Sequence, residues 1–483
     1  MSVRVRWAPS PTGNPHVGNA SVALYDYVFA RSQGGTFILR IEDTDRARCS
    51  KESEQAILEC LRWLGLRYDE GPDVGGPHAP YRQSERLPIY GKHVRELVER
   101  GRAYYCFCTP QEIEQDRQEQ QKAGRPMMYS RRCRSLGPEE VSEKLASGLP
   151  HTIRLKVPLE GETRFRDYLR GEVVFRNELI DDQVLLKSDG FPTYHLAAVV
   201  DDHLMEITHV LRGEEWISST PKHILLYEAF GWTPPTYVHL SILRDTERRK
   251  LSKRAGTPTG ILQYRDAGYL PEAMVNFLAL MSFSMSNGRE IFSLEELTAD
   301  FSLERLKTTA PVFDTQKLEW LNGEYIRRLD AGTLVRHLQE VVPLARRLEA
   351  RQVERVLPLV RERMKTLLDF EKVAGFLFER ELSYEARLLI PKKCNAATAK
   401  EMLEEAVRAF RGAASWVAWD LEQIARQTAE ARGWGRGQFF MCVRVAVTGS
   451  TASPPLFESM EAVGREVCIE RIERAAGMLE TVS

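Results

Sequence analysis

Along the first eighty residues the apolar and polar positions change rhythm several times. Residues 4–7, RVRW, alternate with the two-residue period of a strand. From 20 to 32, Val22, Leu24, Tyr25, Val28 and Phe29 recur at helical spacing, and Gly34-Gly35 ends the run. TFILRI (36–41) returns to a β run, so the three pieces predict a βαβ unit with parallel strands and a right-handed crossover. Ser50 is placed to cap a further helix that carries Ile57, Leu61 and Leu64 on one face and stops at Gly65.

From about 86 to 190 the texture changes to charged helices, turns and short strands, which reads as an insertion. Apolar strands return in THVLRGEEW (208–216) and YVHLSIL (237–243), so the parallel sheet is expected to resume there. Beyond about 325 the pattern is almost wholly helical and rich in arginine. The fold class expected is multidomain, α/β plus all-α: a Rossmann-type parallel-sheet domain split over 1–85 and 195–245, an insert over 86–194, a connecting region over 246–325 and a helical region of two subdomains over 326–483.

Composition narrows the classes. A chain of 483 residues, 43% hydrophobic and 28% charged, is globular rather than disordered, and too long for one core. Lys+Arg of 67 against Asp+Glu of 68 argues against a histone-like binder while allowing local basic faces. No apolar run is long enough to span a bilayer and RVRWAPS follows at once after the start, so neither a membrane nor an export signal is expected. Eight cysteines, mostly scattered singly, do not suggest a disulfide framework, and a cytoplasmic monomer is the expectation.

In open parallel sheets, ligands bind beyond the carboxyl ends of the strands. After the first strand stand Ser10, His16, Gly18 and Asn19, in the loop PSPTGNPHVGN that enters a helix; after the second stands Glu42, opening EDTD. After THVL stands Arg212, and after YVHLSIL the basic stretch RDTERRKLSKRAGT. One rim thus gathers a histidine at a helix start, a carboxylate, arginines and a lysine pair, a set suited to phosphate chemistry on an amphoteric small molecule. Singly the pieces say little: a lone His-x-Gly is ordinarily a loop histidine bonded to backbone, and KLSKR alone a solvated charge run. Their order and place change that reading.

PSPTGNPHVGN followed by LRIEDTDR, YRQSER, FPTYHLAAVVDDH, RGEEW and KLSKR resembles the bacterial-type glutamyl-tRNA synthetases, class I aminoacyl-tRNA ligases, over nearly the whole chain from Arg6 to about Phe457. HVGN stands at the His-Ile-Gly-His type signature and KLSKR at the Lys-Met-Ser-Lys-Ser type loop. The resemblance implies activation of L-glutamate by ATP with Mg2+ and transfer to tRNA(Glu). Catalytic roles fall to His16, Lys250 and Lys253. Ala8, Ser10, His16, Gly18, Asn19, Glu215, Leu243, Leu251, Ser252 and Lys253 would contact ATP, with Gly18 bare so that the nucleotide can approach. Arg6, Ser10, Tyr194 and Arg212 would hold the carboxylates of glutamate, Glu42 its ammonium, and Trp216 would pack beside them. An Arg6 fork facing a carboxylate would reject glutamine, whose amide presents donors to donors. Asn19 replaces the signature's second histidine, and Ala198 stands where many relatives have asparagine, leaving one polar contact absent or supplied by water.

YYCFCTP and YSRRC bring Cys106, Cys108, Tyr129 and Cys133 together in the insert. Cys-x-Cys sets two thiolates on one side of an extended segment, and a return strand would add two ligands for a tetrahedral structural zinc; a reduced thiol cluster in an apolar pocket is the alternative. Some relatives bind zinc in this arrangement. The insert is expected to bind the acceptor stem and the helical half the anticodon. RRLEARQVERVLPLVRERMK (346–365), with Arg351, Arg355, Arg361 and Arg363, is either a solvated face or a phosphate binder. Two alternatives remain: a form that also charges tRNA(Gln), and a tRNA-modifying glutamyl transferase paralogue, against which the chain's length argues.

Overall fold

The computed structural model describes residues 2–124, 126–251 and 258–481, and the chain divides into two compact units. The first comprises 1–265 and 274–315. Strand β1 (Arg4–Trp7), helix α1 (Val17–Ser32) and strand β2 (Thr36–Leu39) form the expected βαβ unit, with Val5 opposite Phe37 and Trp7 opposite Leu39 in parallel register. The helix turns back through Gly34-Gly35: a Cβ on Gly35 would lie 2.3 Å from the Val3 carbonyl oxygen, so only glycine lets β2 close on β1 here. Ser50 caps α2 (Lys51–Trp63), its hydroxyl accepting from the Ser53 N–H at 3.1 Å.

The insert begins with α3 (Leu87–Glu99), β3 (Ala103–Cys106), α4 (Pro110–Lys122) and α5 (Pro138–Ala146), followed by β4 (Thr152–Leu155). Next come a hairpin of β5 (Glu162–Asp167) and β6 (Gly171–Arg176), then β7 (Val184–Leu186) and α6 (Tyr194–Leu204). Strands β3, β4 and β7 make their own antiparallel sheet. The hairpin does not belong to it. After β8 (His209–Gly213), α7 (Thr220–Phe230) and β9 (Thr236–Leu240), β8 and β9 pair in parallel, and β5 extends that sheet through Asp167 opposite Tyr237. The sheet order is β6-β5-β9-β8, and Thr208 continues it toward β1 by donating its N–H to the Arg4 carbonyl at 2.9 Å. The sheet is therefore mixed rather than all parallel, because an edge hairpin from within 86–194 supplies its outer strands.

The helical unit comprises 316–483 with 266–273. The division falls at the start of the helix Thr315–Arg328, whose Tyr325 and Ile326 pack into this unit's core. Asn322 fixes the join: its Oδ1 accepts the Leu270 N–H at 2.8 Å and its Nδ2 donates to the Lys365 carbonyl at 2.6 Å. Two apolar cores lie within this unit, one around Leu334, Leu338, Val353 and Phe370, the other around Leu403, Phe410, Phe439 and Ile472. On the helix Ala350–Val360, Val353, Val356 and Leu357 turn inward and Arg351 and Arg355 outward, whereas Arg361 is half-buried and donates to the Leu329 carbonyl. Among the described residues no helix is long and apolar enough to cross a membrane.

Candidate active site

A cavity of about 980 Å³ opens beyond the carboxyl ends of β1, β2, β8 and β9. Arg6, Ala8, Ser10, His16, Gly18, Asn19, Glu42, Tyr194, Arg212, Glu215, Trp216, Leu243, Lys250 and Leu251 all line it. Ser252 and Lys253 lie outside the described residues. Ala198 is buried on α6 and is not among the residues that line the cavity.

The first-strand loop is built as a cap. His16 closes the N-terminus of α1 by accepting the Gly18 N–H on Nδ1 at 3.0 Å, so the ring proton must sit on Nε2. A Cβ on Gly18 would lie 3.3 Å from that Nδ1, so the bare position protects the capping ring as well as the approach of a ligand. The same loop is stitched to the chain that follows KLSKR: Val17 donates to the Thr259 carbonyl at 2.8 Å and Ile261 to the Pro15 carbonyl at 2.9 Å. Lys250 and Leu251 return antiparallel to Leu243 and Arg244, around a turn in which Asp245 accepts the Glu247 and Arg249 N–H groups at 2.9 Å each. His16, Gly18, Lys250 and Leu251 thus line one cavity.

Beneath the opposite wall lies a buried ionic lattice. Asp202 on α6 accepts Arg6 at 2.9 Å and Arg40 at 2.7 Å, and Arg40 reaches Glu42 at 3.0 Å. Its neighbour Asp201 takes Arg86 at 2.8 Å, Tyr90 at 2.7 Å and Gln83 at 2.9 Å, binding the insert's root to the sheet. Burial would raise the Asp202 pKa, but Arg6 and Arg40 outweigh it and hold the carboxyl below the usual range. Glu42 goes the other way, since burial there exceeds the help of Arg40 and Arg6. Asp26, fully buried on α1 with neither oxygen hydrogen-bonded, is pushed well above the carboxylate range by burial, Arg6 opposing. Arg6 spends Nε and Nη2 on Asp202, leaving Nη1 as the nitrogen without a hydrogen-bond partner among the described residues.

Arg212 is different. Its guanidinium is buried yet has no carboxylate partner among the described residues. Neutral groups hold it: Thr220 Oγ1 at 2.7 Å, His239 Nε2 at 3.1 Å, the Tyr194 hydroxyl at 3.3 Å and His223 Nδ1 at 3.4 Å, with the Tyr237 ring 5.0 Å away. A buried cation held by neutral acceptors at a cavity wall is a receptor for an anion. Trp216 and Tyr194 pack with ring centroids 4.6 Å apart beside it. Glu215 folds back over Gly213, where a Cβ would fall 2.1 Å from its Oε2.

In the insert, Cys106, Cys108 and Cys133 have sulfurs within 4.8 Å of one another. The Tyr129 hydroxyl lies 3.2 Å from Cys106 Sγ and 3.3 Å from Cys108 Sγ, and the Cys108 and Cys133 sulfurs are 3.5 Å apart. Four sulfurs around one zinc stand about 3.8 Å apart, so this donor set fits a tetrahedral ion after slight expansion. Arg154 covers the Tyr129 ring at 3.8 Å, while burial and the thiols around its hydroxyl push the Tyr129 pKa well above its ordinary value. Cys106 ends β3, but Tyr129 and Cys133 come from a loop and a single 3-10 turn, Arg132–Ser135, rather than from a return strand.

Sequence reasoning quoted VVDDH and YVHLSIL without giving Asp201, Asp202 or His239 a task. It also missed Arg40, Thr220, His223 and Asp167. A signal existed for some: a charged or imidazole residue inside an apolar strand or helix, as Arg40 and His239 are, must find a buried partner.

A split sheet with parallel β1–β2 and β8–β9 pairs, and a histidine-capped helix start facing a return loop that carries Lys250 across one cavity, are the arrangement of a class I aminoacyl-tRNA synthetase. The chain belongs to the family described as tRNA synthetases class I (E and Q), catalytic domain, whose model matches residues 2–320, and an anticodon binding domain matches 333–476. It is 48% identical to the glutamate–tRNA ligase of Thermus thermophilus over 477 residues, covering 98% of this chain and 99% of that one. To the glutamate–tRNA ligase of Acinetobacter baylyi it is 46% identical over 475 residues, covering 98% and 93%. Among solved structures, a glutamate tRNA ligase from Elizabethkingia meningosepticum in complex with its amino acid superposes with a TM-score of 0.89 at 36% identity, covering all of both chains.

Proposed function

We infer that this chain catalyses the glutamate–tRNA ligase reaction. The observation that carries the amino-acid part is Arg212, a buried cation held by neutral acceptors, on the cavity that His16 and Lys250 also line. Glutamate brings two carboxylates and one ammonium. Arg212 with Tyr194 takes one carboxylate, Arg6 through Nη1 the other, and Glu42 the ammonium. Because Asp202 already occupies one edge of Arg6, that arginine meets substrate by its remaining edge, and the amide of glutamine would set donors against it.

ATP enters as its Mg2+ complex, with Ala8, Ser10, Gly18, Asn19, Glu215, Leu243, Leu251 and Ser252 around it. A carboxylate oxygen of glutamate attacks the α-phosphorus; the bond to the bridging oxygen breaks and diphosphate leaves. His16, through its Nε2–H, and the N-terminus of α1 oppose the charge that develops on the phosphates, joined by Lys250 and Lys253. The terminal ribose hydroxyl of tRNA then attacks the mixed anhydride and AMP leaves. The insert takes the acceptor stem, and the helical unit the anticodon, through exposed arginines such as Arg351 and Arg355. Charging purified tRNA(Glu) and tRNA(Gln) side by side tests this. Glutamyl-tRNA(Glu) is expected, with ATP–diphosphate exchange that requires tRNA; charging of both tRNAs identifies the non-discriminating form. Charging of neither, with glutamate found on a modified base, overturns the reading.

Cys106, Cys108, Tyr129 and Cys133 hold one structural zinc, which would brace the turn between β3 and the loop that carries Tyr129. Elemental analysis of protein purified without added metal should find about one zinc per chain, and Cys133→Ser should lose it and lower the melting temperature. Wild-type protein without zinc and with freely titratable thiols would refute the site.

A further inference from the structure

The groups around Arg212 form an ordered chain. A guanidinium only donates, so each imidazole nitrogen facing it must be an unprotonated acceptor. His239 therefore carries its proton on Nδ1, which donates to Asp167 Oδ2 at 2.6 Å, while its Nε2 lone pair takes the Arg212 Nε–H at 3.1 Å. By the same logic His223 accepts from Arg212 on Nδ1, holds its proton on Nε2 and donates it to His195 Nδ1 at 3.0 Å. One cation fixes both tautomers.

The anchor of this chain is Asp167. Its Oδ1 accepts the Leu169 and Arg170 N–H groups at 3.0 Å each, and its Oδ2 also accepts the His239 main-chain N–H at 3.1 Å, so the carboxylate cannot turn. Asp167 ends β5, and the pairing of β5 with β9 sets it against His239. This gives the hairpin that joins the main sheet a chemical task. Burial holds the His239 imidazole below its ordinary pKa despite the Asp167 contact, so the ring stays neutral beside a cation.

We propose that Asp167 and His239 are positioning residues for Arg212: Asp167 locks the Nδ1–H tautomer, and the His239 Nε2 lone pair then fixes the roll of the guanidinium. The roll decides which nitrogen faces substrate. Nε and Nη2 make the shorter bonds, to His239 and Thr220, whereas Nη1 has only contacts of 3.3 and 3.4 Å, to Tyr194 and His223, and is the nitrogen offered to a carboxylate. The proposal rests on the reading of Arg212 as a holder of the glutamate carboxylate.

The test compares His239→Leu, which removes the acceptor, with His239→Gln, whose amide oxygen can reach the place of Nε2. In the full-length enzyme, His239→Leu should raise the KM for glutamate at least about tenfold, as loss of one hydrogen bond to a charged group does, with the KM for ATP changed less than about threefold. His239→Gln should recover most of that loss. A purely structural role would lower stability and affect both substrates alike. Nitrogen-15 spectroscopy of the wild-type histidines supplies a reading that needs no variant: His239 should be the Nδ1–H tautomer. An Nε2–H tautomer, an imidazolium, or a Gln variant as impaired as Leu overturns the proposal. If Arg212→Met raises the glutamate KM while His239→Leu does not, positioning fails and the site reading stands; if Arg212→Met changes nothing, the site reading itself fails.

Discussion

Arg212→Met is expected to raise the KM for glutamate by about a hundredfold to a thousandfold while leaving the KM for ATP within about threefold. One charge-assisted hydrogen bond from Nη1 contributes about 1.5–3 kcal/mol, and loss of the buried positive charge facing the carboxylate brings the total to about 3–4 kcal/mol, hence that range. The substitution should be tolerated by the fold, because it removes a buried cation with no carboxylate partner rather than half of an ion pair. Arg6 offers the contrast. Its loss would leave Asp202 buried against Arg40 alone, so stability and substrate affinity would fall together. Glutamate-dependent, tRNA-dependent ATP–diphosphate exchange reads the first effect, and thermal unfolding separates it from the second.

Which parts of this site were legible in the sequence follows from what each residue depends on. His16, Gly18 and Glu42 follow strand ends and Arg212 stands one residue before the end of β8, where position along the chain already determines position in space, and all four line the cavity. The helix expected over 20–32, observed over Val17–Ser32, and its glycine stop were equally local, set by periodicity and by one backbone approach of 2.3 Å. Asp167 was not legible. It meets His239, 72 positions away, only because β5 of the β5–β6 hairpin pairs with β9 rather than with its nearer neighbours β4 and β7. Nothing in the alternation of ETRFRD says which sheet it joins. Asp201 and Asp202 illustrate a second limit: adjacent residues on one helix serve different arginines, Arg86 and Arg6, brought from separate segments. The bond between Asn322 and Leu270, 52 positions apart, which ties 266–273 to the helical unit, is likewise visible only in three dimensions.

Because His16 both caps a helix and lines the cavity, its two tasks can be separated by choice of substitution. Asparagine is among the best N-cap residues, and its side-chain oxygen can accept the Gly18 N–H as Nδ1 does now, whereas alanine offers no acceptor. His16→Ala should therefore lose about 1 kcal/mol of stability through the cap, and His16→Asn only a few tenths. Both remove the Nε2–H donor. If that donor opposes the charge developing on the phosphates, both should lower kcat for adenylate formation by about a hundredfold to a thousandfold, with Asn no better than Ala. The helix N-terminus and Lys250 persist in each variant, which should keep the KM for ATP within about fivefold of the wild type, since the lost contact is one made mainly in the transition state. Single-turnover kinetics at saturating glutamate and tRNA measure kcat, and thermal unfolding measures the cap. A His16→Asn enzyme with wild-type kcat would confine this histidine to capping and leave the α1 N–H groups and the lysines of KLSKR as the phosphate's partners.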